Sequence, residues 1–136
     1  MGMINQEQQE LRDVIADFIE MGHVENIVAM FKQDTALYGL TGELLRDERY
    51  MVRMGMAVLF EELAVERPEE LPLAIPALLP LLADSLPYVR GEAVTLLGII
   101  GSRAALAPLA DMQADPDPQV AEIVRDVLAQ ARSNGA

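Results

Sequence analysis

The chain has no cysteine and no tryptophan, a single histidine (His23) and a single lysine (Lys32). Without cysteine there are no disulfides, no thiol catalysis and no thiolate metal sites. One histidine excludes a histidine-cluster metal site within the chain. Aromatic residues make up only 4% of a chain that is 51% hydrophobic. Leu, Ala, Val, Ile and Met supply the rest, which suits helix cores and not aromatic-rich strands. Long apolar runs are lacking too. Leu71 to Ala83 is the most apolar stretch, but Pro72, Pro76 and Pro80 interrupt it, and it is too short to span a bilayer. The first 20 residues carry acids where a signal peptide would have its apolar core. These absences lead to the expectation of a cytoplasmic protein without membrane contact. Bases are scarce: 10 against 22 acids, a net charge of -12. Such a surface repels phosphate backbones and disfavours nucleic acid. It favours solubility and, among partners, basic ones.

What is present is a repeat. Asp47, Asp84 and Asp115 lie 37 and 31 residues apart, and each is followed five residues later by a valine: Val52, Val89 and Val120. An arginine comes next in two copies, Arg53 and Arg90, and Ala121 in the third. Four, seven and eight residues beyond each valine stand Met56, Leu59 and Phe60; Ala93, Leu96 and Leu97; Val124, Val127 and Leu128. Those offsets fall on one helical face. Upstream, Ile75, Leu78, Leu79 and Leu82 precede Asp84 at the distances by which Leu106, Leu109, Ala110 and Gln113 precede Asp115. Leu37, Leu40 and Leu44 of the first copy sit one position out of that register. Each unit therefore reads as helix, turn, helix and an Asp-containing turn.

The run from Asp84 through Val89, Arg90 and Ala93 to Leu96-Leu97-Gly98 resembles the HEAT-like repeat of the phycobilisome-lyase type, best over 84–115, less well over 115–130 and 47–65. The resemblance implies an all-α fold, an α-α superhelix of about seven to eight helices. It also implies that the turn residues Asp47, Asp84 and Asp115 and the arginines Arg53 and Arg90 are structural. The pairs expected are Asp47 with Arg90, and Asp84 with Arg53 or Arg90. An aspartate in such a turn also caps the next helix.

The helix pattern predicts helices over 6–21, 24–32, 34–46, 48–66, 69–83, 87–100, 103–113 and 118–132. Gly22 and Gly101 read as C-terminal stops, and Asp34 or Thr35 as an N-cap. This gives one domain: a helical cap over 1–34, repeats over 35–132 and a disordered tail over 133–136. In the cap, Glu7, Glu10, Asp13, Asp17 and Glu20 form an acidic stripe opposite Leu11, Val14, Ile15, Phe18 and Ile19. The stripe is read either as a solvated face or as a dock for a basic partner. Met56 is expected in the core, with Met51 and Met54 exposed. Pro76 and Pro80 should bend their helix, whose expected apolar face is Leu71, Ile75, Leu78, Leu79 and Leu82, with Ala74, Ala77 and Leu81 nearer the surface. The acids Glu61, Glu62, Glu66, Glu69 and Glu70 lack the glycine and alternating Asp/Asn of a calcium loop. They read as a solvated turn.

No glycine-rich phosphate loop and no Ser/His/Asp arrangement is visible, and no catalytic, metal or cofactor residue is assigned. The expected function is a non-catalytic interaction module, scaffold or adaptor for a protein or peptide partner. Its candidate contacts are Glu43, Leu81, Arg103 and Asp111, flanked by Tyr88 and Glu92. The alternative implied by the resemblance is an accessory subunit of a bilin-lyase-like enzyme that attaches a chromophore. A HEAT-like DNA glycosylase would need a basic, aromatic groove, which this composition disfavours. The expected state is a monomer or a weak homodimer. Ile123, Val127 and Ala131 of the last helix lack a following repeat, so that helix either self-associates or caps the stack.

Overall fold

The computed structural model describes residues 5–135. Among them are eight α-helices: α1 (Gln6–Glu20), α2 (Val24–Gln33), α3 (Thr41–Leu45), α4 (Tyr50–Glu66), α5 (Ile75–Leu78), α6 (Pro87–Ile100), α7 (Arg103–Leu106) and α8 (Pro118–Ser133). Four 3-10 segments, Thr35–Leu40, Pro68–Ala74, Leu79–Ala83 and Ala107–Met112, complete the shorter elements. The expected all-α fold is therefore present, with no strand among the described residues.

Two layers enclose one core. The long helices α1, α4, α6 and α8 pack in that order, each on the next. Arg12 meets Asp47 while Ile19 meets Gly55, so α1 and α4 run in the same direction. The pairs Gly91 with Ile123 and Gly98 with Val127 fix the same relation for α6 and α8. The second layer consists of the short segments. Residues 35–45 pack on 68–78, and 103–112 pack on α6 and α8.

The start of the chain follows local rules. Asn5 and Gln8 form a reciprocal capping box at the head of α1. At its end Gly22 takes φ +87°, the Gly22 N–H bonds to the Ile19 carbonyl, and the His23 N–H bonds to that of Phe18. That is the Schellman arrangement a left-handed glycine permits. Asp34 caps the following segment through the Ala36 N–H.

The 34–46, 69–83 and 103–113 helices of the sequence reading are instead 3-10 turns joined to short α-helices. In the two later segments the cause is proline. Pro72, Pro76, Pro80 and Pro108 donate no hydrogen bond, and their rings crowd the carbonyl four residues back. The chain tightens to about three residues per turn, and the buried face changes with it. Leu71, Ala74, Leu78 and Leu81 are buried, while Leu79 is exposed. The expected apolar face thus exchanges Leu79 for Ala74 and Leu81.

This also corrects the register of the upstream pattern. Ten residues before each aspartate stand Leu37, Ala74 and Ala105. Six before stand Thr41, Leu78 and Leu109. All six are buried. Three before stand Leu44 and Leu81, both buried, and Met112, half-buried. The first copy is in phase after all. Its polar member Thr41 is satisfied by donating to the Tyr38 carbonyl at 2.7 Å. Tyr38 itself is buried against Phe31 and Phe60, and burial beside Glu70 pushes its hydroxyl up to about 12.

The downstream pattern holds as expected. Val52, Met56, Leu59, Phe60, Val89, Ala93, Leu96, Leu97, Val120 and Val124 are all buried, with Val127 and Leu128 packed against them. Met51 and Met54 are exposed, as expected, but so is Val14. The buried arc of α1 is Ile15, Ala16 and Ile19, which turns Val14 outward.

The apolar side of α8 is covered after all, because Ile123 and Val127 seat against α6 over Gly91 and Gly98. The outer side is Gln119, Glu122, Arg125, Asp126, Ala129 and Gln130. Such a polar terminal face suits a capping helix. Ser133 closes α8, and the Asn134 and Gly135 N–H groups bond to the Gln130 and Arg132 carbonyls. Helical hydrogen bonding thus runs past the expected start of the tail. Ala136 and the first four residues of the expected cap lie outside the described residues.

Candidate functional site

The repeat turns come first, because they fix the helices that carry the surface. Each turn aspartate accepts the N–H of the residue two further on: Arg49, Leu86 and Asp117, at 2.9 Å each. These three are the N-caps of α4, α6 and α8. The aspartate side chains are nearly sealed from solvent, so each needs a cation. The carboxylate partners differ from those expected, although Arg90 does meet Asp84 through its main-chain carbonyl. Asp47 takes Arg49 through both oxygens, with Arg12 of α1 at 3.7 Å. Asp84 takes Arg46 at 2.9 Å. Asp115 takes Arg90 in a fork of 3.0 and 2.9 Å.

The reason lies in the direction of the stack. Arg53 and Arg90 each give Nη1 to the turn carbonyl six residues back, Asp47 and Asp84 respectively, at 2.8 Å. The rest of the guanidinium then points forward to the next repeat, not back to the previous one. Hydrogen bonds from Arg49 and Arg90 hold the Asp47 and Asp115 carboxyls below the usual carboxylate range.

Arg53 does not meet the next aspartate. Its guanidinium lies 4.2 Å from the Tyr88 ring centre and 5.8 Å from that of Tyr50, within reach of a cation–π attraction. Its Nε is 3.6 Å from Glu92 Oε2 and makes no hydrogen bond. Burial pushes the Glu92 carboxyl up, and Arg53 opposes that shift. Tyr50, Arg53, Tyr88 and Glu92 thus join α4 to α6 at the surface of the long-helix layer.

The outer face of α4 adjoins this cluster. At about 100° per residue, Tyr50, Met51, Met54, Val58, Glu61, Glu62 and Val65 share one arc of the helix, and all are exposed. Five of the seven are apolar, and Val65 is 81% exposed. Glu62 falls at one edge of the arc and Glu61 beside Tyr50 at the other. An open depression of about 330 Å³ borders Val58 and Glu62 on the α2 side, where Lys32 pairs with Glu66. Along the α6–α8 groove run two more, of about 380 and 440 Å³, lined in part by Tyr88, Glu92, Ile123, Ile99 and Val127. Gly91 and Gly98 form the floor there.

The six contact residues expected from sequence do not form one patch. Tyr88 and Glu92 lie on this face. Glu43, half-buried, and Arg103 and Asp111, both exposed, belong to the short-segment layer. Leu81 is only 2% exposed and is a repeated core position, so it is unavailable to a partner. Sequence reasoning missed Tyr50, Val58 and Val65, and it took Arg53 for a turn residue alone. A signal was present: α4 carries apolar residues all around its circumference, more than one buried face can use.

The acidic stripe of α1 is exposed throughout. Its Asp17 and Glu20 both hold Arg49 Nη1, at 2.9 Å each. Among the described residues, no group of three or more His, Asp or Glu side chains is arranged to hold a metal, and no helix is long and apolar enough to cross a membrane.

A family model described as HEAT repeats matches residues 39–129. No curated protein and no solved structure matches the chain significantly.

Proposed function

The chain belongs to the HEAT repeat family, and from that premise we propose that it is a non-catalytic scaffold or adaptor whose binding face is the outer side of α4 and α6. Folds of this family generally mediate protein–protein contacts and are typically non-catalytic. One observation carries the choice of face. In a chain of charge -12, the apolar side chains of α4 stand exposed along its whole length. Soluble monomers seldom expose a large contiguous apolar patch without a partner for it. Tyr50 and Tyr88, set around Arg53 at the N-terminal ends of α4 and α6, are the residue types that anchor interfaces.

Site-specific photo-cross-linking in expressing cells tests the reading. A photoreactive residue is placed at Val58 in one version and at Asp111, on the other layer, in a second. A discrete protein adduct from position 58 and none from position 111 is expected. Adducts only from position 111 would move the binding face to the layer of Glu43, Arg103 and Asp111. Adducts from neither position would end the proposal.

A further inference from the structure

We propose that the exposed stripe of α4 docks an amphipathic helix whose apolar face is flanked by Lys or Arg. This rests on the interaction-module reading and names the chemistry of the partner.

The spacing of the stripe points to a helix. Met51, Met54, Val58 and Val65 follow one another by three, four and seven residues. In a seven-residue frame they occupy the two apolar seam positions, with Glu61 in the remaining one and Glu62 beside it. This is the pattern by which one helix receives another, yet in this fold it faces solvent. From Met51 to Val65 the stripe runs about 21 Å, the length of a helix of about 14 residues. A β-strand partner has no edge to pair with, since the described residues contain no strand. The two methionines give the seam adaptable side chains for an apolar face of varied shape.

Charge selects the flanks. Three bases near the stripe are paired with carboxylates: Lys32 with Glu66, Arg49 with Asp47, Asp17 and Glu20, and Arg53 with Glu92; Arg67, just past its end, gives Nη1 to the Glu66 carbonyl. Glu61 and Glu62 meet no cation among the described residues, nor does Glu25 beyond Val58. The face therefore offers one unpaired carboxylate within the seam, Glu61, and one beside it, Glu62, and a partner with basic residues along its apolar face complements it. A second copy of the chain would bring like charges together along the same seam, which disfavours self-pairing.

The test uses the full chain and a labelled peptide of about 14 residues with leucine on the seam positions and lysine elsewhere. Its two controls replace lysine by glutamate, or place proline at the centre. Binding is read by fluorescence anisotropy at about 0.15 M salt. The leucine–lysine peptide should bind and both controls should not. Met54→Lys with Val58→Lys should weaken it about tenfold or more, whereas the same charge change at the exposed Ala107 and Ala110 should alter it less than about twofold. Circular dichroism of both double variants verifies that they fold.

Equal loss from the two double variants would reduce the binding to bulk attraction by an acidic protein and overturn the proposal. Equal binding of the glutamate peptide would overturn the basic flanks, and of the proline peptide the helical form. If position 58 cross-links a protein in cells while the peptide ignores Met54→Lys with Val58→Lys, this inference fails alone. If nothing cross-links at position 58, the choice of this face fails with it, and if position 111 is silent too, so does the interaction reading.

Discussion

Gly55 of α4 packs directly on Ile19 of α1, and Gly55→Ala tests whether the first helix is a true member of the stack. A Cβ built on Gly55 would lie 2.2 Å from Ile19 Cγ2, far inside the normal contact distance of about 3.5–4.0 Å. Ile19 is buried and branched at Cβ, so it cannot swing aside as the end of a long side chain would. Either Ile19 leaves its rotamer or α1 retreats. Overpacking of this kind costs about 1–3 kcal/mol. Alanine returns about 1 kcal/mol of helix propensity. The net expectation is a loss of up to about 2 kcal/mol, or a melting point lower by up to about 6 °C for a domain of this size.

The sign must reverse when the obstacle is removed. Ile19→Ala alone should cost about 2–4 kcal/mol, because it empties a buried site. In that background Gly55→Ala no longer meets Cγ2, partly fills the void and keeps the propensity gain. It should then stabilise by about 1 kcal/mol. Urea unfolding of the four proteins, followed by far-UV circular dichroism, gives the coupling, expected at about 2 kcal/mol. Gly39→Ala serves as a control, since nothing lies within 4 Å of its new methyl. Additivity within about 0.5 kcal/mol, or a gain from Gly55→Ala in the unaltered protein, would refute the packing argument and release α1 from the stack.

Three further outcomes follow from the same geometry. Leu81→Ala should destabilise by about 2–5 kcal/mol as a buried large-to-small change, while Asp111→Ala, on the exposed side of the same layer, should stay within about 0.5 kcal/mol; equal effects in denaturant titration would return Leu81 to the surface. Asp115→Ala strips the fork from Arg90 and should cost about 3 kcal/mol, a buried pair being costly to break on one side only, and thermal melts that shift by less than 2 °C would contradict it. The Asp47 and Asp115 carboxyls titrate lower folded than unfolded, so the unfolded chain binds more protons as pH falls below about 4, and the stability they lend above that pH is lost through the acid range. In stability measured against pH, Asp115→Asn should flatten that acid slope, and an unchanged slope would remove Asp115 from the explanation.

The long-helix layer was legible in sequence because α-helical spacing governs it: the apolar offsets after Val52, Val89 and Val120 all turn inward. The short-segment layer was misread because prolines change the winding. A register set by 3.6 residues per turn pointed to Leu79 and Leu82, where the tighter winding buries Ala74 and Leu81. The ion pairs were misdirected for a different reason. Spacing shows that an aspartate and an arginine recur, but only the parallel stacking of α4, α6 and α8 decides that Arg90 reaches forward to Asp115. The first copy is longer by six residues, and there Arg46 serves Asp84 in place of Arg53. That substitution leaves Arg53 to Tyr88 and Glu92. Of the candidate face, Met51 and Met54 were visible as exposed methionines, but Val58 and Val65 were hidden because apolar residues in a helix are ordinarily assigned to its buried side.

The acidic composition and the apolar stripe on α4 are two sides of one arrangement. A bare seam of helix-pairing residues in solution invites self-association. A net charge of -12 opposes it, since two copies approaching seam to seam bring their carboxylates together. The repulsion vanishes for a partner that carries the opposite sign, and the gain is largest where Glu61 and Glu62 border the apolar residues. The bases near the face do not blunt this selection. Arg49, Arg53 and Lys32 are each committed to carboxylates, so internal pairing takes up most of the positive charge there and leaves Glu61 and Glu62 outward. The repeat ladder, by the carboxylates it sets against these bases, thereby sets the sign of the proposed docking surface.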